Sequence, residues 1–217
     1  MSIRKILPVA ALLSLPCGAV YAQSQGWYIG AGAGQSKATN AASCSDLNGV
    51  LDPGFSCSSN DTGTGLKVFA GYQFNPYLGV EGSYVDLGKF KISASGTVAL
   101  NPATADGSDK ASGFGLDAVG TLPINEQFGL LARVGAFHWT LDSTASVTLG
   151  GGIPNPTTTA SEKPSGTGVD FGVGAKYDFN SVAGLRVEWQ RFKSIGNDDT
   201  GKSDVDLISA SLLYRFK

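Results

Sequence analysis

Residues 204–217, DVDLISASLLYRFK, alternate strictly. Ile208, Ala210, Leu212, Tyr214 and Phe216 share one face, and Ser209, Ser211, Leu213 and Arg215 share the other. A period of two is the signature of a strand, here with one face suited to hydrocarbon and a mixed face that ends in a charge. A strand at the end of a chain leaves a row of backbone donors and acceptors unpaired unless another strand meets it. The first strand of the chain is the free candidate, so this stretch points to a sheet that closes on itself.

Residues 27–35, 66–74, 78–87, 114–122, 128–141, 169–179 and 185–193 repeat the pattern. The cleanest sets Val169, Phe171, Val173, Ala175, Tyr177 and Phe179 against Asp170, Gly172, Gly174 and Lys176. Polar stretches at 36–63, 90–110, 142–166 and 194–203 read as long loops, and 75–77, 123–127 and 180–184 read as short turns. Eight runs joined alternately by long and short connections have the order of an outer-membrane barrel, with short turns toward the periplasm and long loops outside. The expected fold is all-β, an eight-stranded antiparallel up-and-down transmembrane β-barrel with an interior narrow enough for side chains to fill.

Which face looks into the barrel follows from the charges. Lys67, Glu81, Asp117, Arg133, Asp170, Lys176, Arg186, Glu188 and Arg215 all fall in phase with the glycines, opposite the apolar face. An Arg or Lys facing lipid at mid-bilayer costs about 2–4 kcal/mol, so these residues belong in the lumen. There they nearly balance and are expected to form an ion-pair network, because buried charges persist only when paired. Trp27, Tyr72, Phe74, Tyr77, Tyr84, Tyr177, Phe179, Trp189, Tyr214 and Phe216 keep the outward phase near the run ends, as interfacial girdles do.

Residues 1–22 carry Arg4 and Lys5, an apolar stretch, and Val20-Tyr21-Ala22, and read as a signal peptide ahead of a barrel domain over 23–217. Pro8 and Pro16 interrupt a run already short for a membrane helix, and Pro16 stands where a lipoprotein signal needs a small residue before Cys17. Cys44 and Cys57 then remain in an exported chain, and are expected to form a disulfide; a metal pair lacks a nearby His or further thiol. The net charge of -2 gives no electrostatic case for a nucleic-acid partner. The GAGAG of residues 30–34 precedes no helical pattern and is not a nucleotide loop. No metal or cofactor is expected; Asn197-Asp198-Asp199-Thr200-Gly201 lacks the spaced ligands of a calcium loop.

Together GWYIGAGAG (26–34), GYQFNPYLGVEGSYVDLG (71–88), LRVEWQ (185–190) and SLLYRF (211–216) resemble the N-terminal transmembrane domain of the OmpA family. The resemblance spans essentially the whole chain after the leader. It implies a barrel of the cell outer membrane, in contact with outer-membrane lipid and lipopolysaccharide, monomeric, and built by the barrel assembly machinery, for which Tyr214 and Phe216 supply the terminal signal. It also implies exterior loops able to meet a host or phage ligand. Because the chain ends one residue past Phe216, the family's peptidoglycan-binding domain and its tethering are not expected. Glu81 and Arg186 stand where the family has a lumen Glu and Arg that gate a narrow ion path. Val119 stands where a Lys is expected and Lys176 where a second Glu is expected, which leaves Lys176 as a competitor of Arg186 for Glu81.

Barrel enzymes of this size use a His/Ser pair, but the sole histidine, His138, points outward by phase and has no Ser two residues on, so no enzyme is expected. The function expected is that of a structural and surface barrel with an ion-paired lumen. A low-conductance channel and an adhesin or receptor acting through the loops are the alternatives.

Overall fold

The computed structural model describes residues 25–39, 44, 56–98, 101–150, 156–196 and 202–216. The leader expected over 1–22 and the 197–201 turn lie outside them. Among the described residues ten strands form: β1 Gly26–Thr39, β2 Ser56–Asn60, β3 Thr62–Asn75, β4 Leu78–Val98, β5 Asn101–Pro123, β6 Phe128–Leu149, β7 Thr157–Glu162, β8 Ser165–Asp178, β9 Ala183–Ile195 and β10 Ser203–Arg215.

Eight of these close into a ring, each antiparallel to the next: β1, β3, β4, β5, β6, β8, β9 and β10. The last strand closes on the first, with Ile29 opposite Tyr214, Ala31 opposite Leu212 and Ala33 opposite Ala210. Outward residues thus meet outward residues at the seam, and no strand of the ring keeps an open edge in lipid. Trp27, Val68, Phe114, Leu116, Val134, Val173, Ile208 and Leu212 are each more than half exposed, an apolar band that only a bilayer covers. At its lower edge aromatic rings pack edge to face as Trp27–Tyr72, Tyr177–Phe179 and Tyr214–Phe216.

The three short turns share one device. Asn75 Oδ1 accepts from the backbone N–H groups of Tyr77 and Leu78, Asn125 Oδ1 from those of Gln127 and Phe128, and Asn180 Oδ1 from those of Val182 and Ala183. A short amide side chain standing in for a backbone acceptor is what favours Asn at such turns.

At the other end the structure corrects the expected loops. Residues 90–98 and 101–110 are not loop: β4 and β5 stay paired from Lys89 opposite Lys110 to Val98 opposite Asn101. The ladder steps out of register once, between Asp86 and Lys89, where Gly88 takes φ 82° and Asp86 Oδ1 accepts from its N–H. Within 36–63, β1 continues to Thr39 and β2 pairs with β4; within 142–166, β6 continues to Leu149 and pairs with β7. In the β4 extension Phe90, Ile92 and Ala94 are half-buried and alternate with exposed Lys91, Ser93 and Ser95, a period of two that a reading of the whole stretch as polar passes over.

Candidate functional site: a two-tier lumen

Small residues on the inner face make room for large ones. A Cβ at Gly30 would collide with the ring of Phe69, which enters the lumen from β3 and carries the Arg186 guanidinium 4.0 Å above its centroid. Around this stack lies a cluster of charges drawn from six strands. Arg186 holds Glu81 with both ends of its fork, Nη1 to Oε2 at 2.7 Å and Nη2 to Oε1 at 3.1 Å. Arg133 Nη2 donates to the same Oε1, and the Tyr28 hydroxyl donates to Oε2 at 3.2 Å. Glu188 lies against Arg186 Nε at 2.8 Å, Arg133 Nε at 2.9 Å and Lys67 Nζ at 3.5 Å. Lys67 donates to Gln190 Oε1 at 2.9 Å, Gln190 passes a bond to Asp170 at 2.5 Å, and Arg133 reaches Asp117 at 3.3 Å.

Seven of the nine charged residues singled out from the sequence therefore meet in one cluster: Lys67, Glu81, Asp117, Arg133, Asp170, Arg186 and Glu188. Lys176 and Arg215 do not. Both lie against Asp178, at 3.6 and 2.5 Å, nearer the periplasmic end. Lys176 as a competitor for Glu81 is thus corrected; Arg133 and Lys67 are the cations that share this carboxylate with Arg186. Val119 is buried and apolar, and contributes no charge. Gln190 and Tyr28 carry no charge signal, and Asp178, charged and in phase with Lys176, was not singled out; the inward phase of their strands marks all three.

Above this tier the inner face changes character. Val85, Leu87, Ala111, Phe137, Trp139, Leu141, Phe192, Ile195, Val205 and Leu207 form an apolar core inside the barrel, with the Phe137 and Phe192 rings 4.6 Å apart. The charges singled out from the sequence occupy the lower part of the lumen, and hydrocarbon fills the upper part. A small cavity of about 40 Å³, bordered by Lys176, Arg186 and Arg215, opens at the periplasmic end. At the exterior end a larger cavity of about 750 Å³ lies among the strand extensions, bordered by Lys37, Phe90, Lys91, Asp109 and Glu162.

The remaining sites are peripheral. Cys44 and Cys57 are disulfide-bonded, and Cys57 lies in β2 opposite Ala94 of β4, clear of the ring. His138 faces outward with Nδ1 3.0 Å from Thr167 Oγ1. The Phe216 N–H donates to the Trp27 carbonyl at 3.0 Å, one residue past the last ladder pair.

A closed eight-stranded ring with a lipid-facing apolar band and a filled interior defines an integral β-barrel of the outer membrane. The chain belongs to the outer membrane protein beta-barrel domain family, which matches residues 7–216. It is 30% identical over 194 residues to outer membrane protein A of Escherichia fergusonii and of Salmonella typhi, covering 88% of this chain and 48% of each relative. The chain thus spans about half the length of these curated relatives. Among solved structures, Ail, the attachment invasion locus protein of Yersinia pestis, is similar at 22% identity and TM-score 0.48, with 89% of this chain and all of that one covered.

The protein is accordingly a surface barrel of the cell outer membrane with long exterior extensions and salt bridges inside.

Proposed function

We propose that this barrel acts as a sealed structural and surface component rather than as a channel. The observation that carries the reading is the double occlusion of the lumen. An ion would have to displace both the Glu81–Arg186–Arg133 cluster and the Phe137–Phe192 hydrocarbon above it. Purified protein in planar bilayers is expected to give no unitary conductance above the lipid baseline, and Glu81→Ala and Arg186→Ala are expected to leave that unchanged because the apolar tier remains. Discrete conductance steps from the wild type would overturn the reading.

Recognition at the surface is the second reading, favoured by the exterior cavity, whose size lies in the range of small-ligand sites and whose border mixes cations, carboxylates and Phe90. A host or phage ligand would meet the protein there, lipopolysaccharide would surround the outward rim, and the barrel would work as a monomer without a catalytic residue. Tyr214 and Phe216, outward at the closing edge, fit a terminal signal for the barrel assembly machinery. Phe216→Ala should lower the yield of the heat-modifiable folded form in cells; an unchanged yield removes this role.

A further inference from the structure

We propose that the outward rim of β4 and β5 is a seat for one phosphorylated glycolipid headgroup, the lipid A end of lipopolysaccharide, with Lys89 and Lys110 on its phosphate. This rests on the reading of the protein as a surface barrel and adds where on the rim the lipid is gripped. Lys89 and Lys110 stand directly opposite each other across the β4–β5 ladder, and Lys110 is in phase with the outward Phe114. Like charges so placed repel unless an anion joins them. Asp86 engages Lys110 at 2.9 Å, whereas Lys89 is exposed and has no carboxylate partner among the described residues. The β9–β10 side of the rim is built the other way: Arg191 stands opposite Asp206 and donates to it at 2.6 Å, and Lys193 Nζ lies 2.5 Å from Asp204. Positive charge in excess of carboxylate is thus placed at β4 and β5.

The height suits a headgroup. Tyr84 and Phe114, both exposed and with rings 5.1 Å apart, end the apolar band on this face as an interfacial girdle does. Lys110 lies four residues further along β5, about 13 Å at the rise of a strand, which lifts both ammonium groups out of hydrocarbon and into the phosphate layer of the outer leaflet. On the other flank of Lys89 the bulge opens the wall. Gly88, at φ 82°, presses on the backbone of Thr64, where a Cβ would come within 2.6 Å of the carbonyl oxygen. The groove beside it, about 430 Å³, is bordered by Lys89, Gln35, Thr62 and Thr64: an ammonium, an amide and two hydroxyl groups, with no carboxylate. That lining matches a sugar phosphate, whose charge goes to the lysines and whose hydroxyls go to the amide and the threonines. Leu66 and Val68 continue the outward face of β3 below Thr64, each more than half exposed, and offer the acyl chains a track toward mid-bilayer.

Native mass spectrometry of the folded protein in detergent tests this, with EDTA present so that no divalent cation bridges lipid to carboxylate. The probes are bisphosphorylated lipid A, the same lipid with its phosphates removed, and inorganic phosphate. The wild type should bind the phosphorylated lipid about tenfold or more tightly than the dephosphorylated one, and Lys89→Gln and Lys110→Gln should each lose about tenfold, the factor expected for one hydrogen bond to a charged group. Arg191→Gln removes a cation that Asp206 already matches and should stay within about twofold of the wild type. Equal affinity for the two lipids overturns the proposal, and this wild-type comparison decides even if a variant fails to give the heat-modifiable form. Unchanged affinity in folded Lys89→Gln overturns it as well, and so does an equal loss in Arg191→Gln, which would mean a diffuse attraction along the whole rim. Displacement of the lipid by millimolar inorganic phosphate would make this a site for the free ion and overturn the lipid assignment. None of these outcomes bears on the sealed lumen, which the conductance measurement decides separately.

Discussion

Three cations, Arg186, Arg133 and Lys67, converge on the carboxylate of Glu81, which is fully buried. The forked bond from Arg186 fixes its plane, and the Tyr28 hydroxyl is a second donor to Oε2. Taking one partner out of a buried ion pair leaves the others uncompensated and typically costs about 3–5 kcal/mol. Glu81→Ala is therefore expected to lower the unfolding free energy by about that amount, read from urea titrations followed by the mobility shift on gels. A loss below about 1 kcal/mol, the range of exposed surface pairs, would mean that water reaches the cluster. Glu81 and Arg186 were recognisable in the sequence by phase and by resemblance. Gln190 was not, because a neutral amide gives no charge signal; its role as the link from Lys67 to Asp170 depends on both of its ends finding partners.

At the scale of elements the periplasmic turns and the exterior extensions obey different physics. Each short turn is stitched by an Asn whose side chain accepts two backbone N–H groups, at Asn75, Asn125 and Asn180. Losing such a bond costs about 1 kcal/mol net, and the three turns share no partner. Asn125→Ala should lower stability by about that amount, and the triple Asn75→Ala/Asn125→Ala/Asn180→Ala variant by about the sum; a triple variant no weaker than the single one would show that the turns are held by the ladders alone. The turns were readable in advance because Asn-Pro and the break in alternation mark them. The β4–β5 extension was not, because its alternation of Phe90, Ile92 and Ala94 with Lys91, Ser93 and Ser95 is short, follows the bulge at Gly88 and is flanked by polar residues.

For the whole molecule the decisive contrast is between the outer and the inner face. The outer face was legible from alternation alone, because Ile208, Leu212, Val173 and Leu116 must all meet lipid. The inner face was legible only in its lower tier, where charges in phase with glycines left no other place for themselves. Phe137, Phe192, Leu87 and Leu207 lie in phase with those charges, yet hydrocarbon directed into a barrel leaves no mark distinguishing it from ordinary strand composition. Only closure of the ring shows that these residues fill the upper lumen and complete the seal.

The seal is tested most directly at Ser211, which is 1% exposed on the inner face of β10, opposite Gly32 and Arg186. A Ser211→Cys variant in a background with Cys44→Ser and Cys57→Ser can be folded into liposomes and offered a small charged thiol reagent. A sealed lumen predicts no modification of the folded barrel and full modification after unfolding in urea. Modification of the folded form at a rate near that of the unfolded chain would mean that a water-filled path reaches mid-barrel, and would contradict the account.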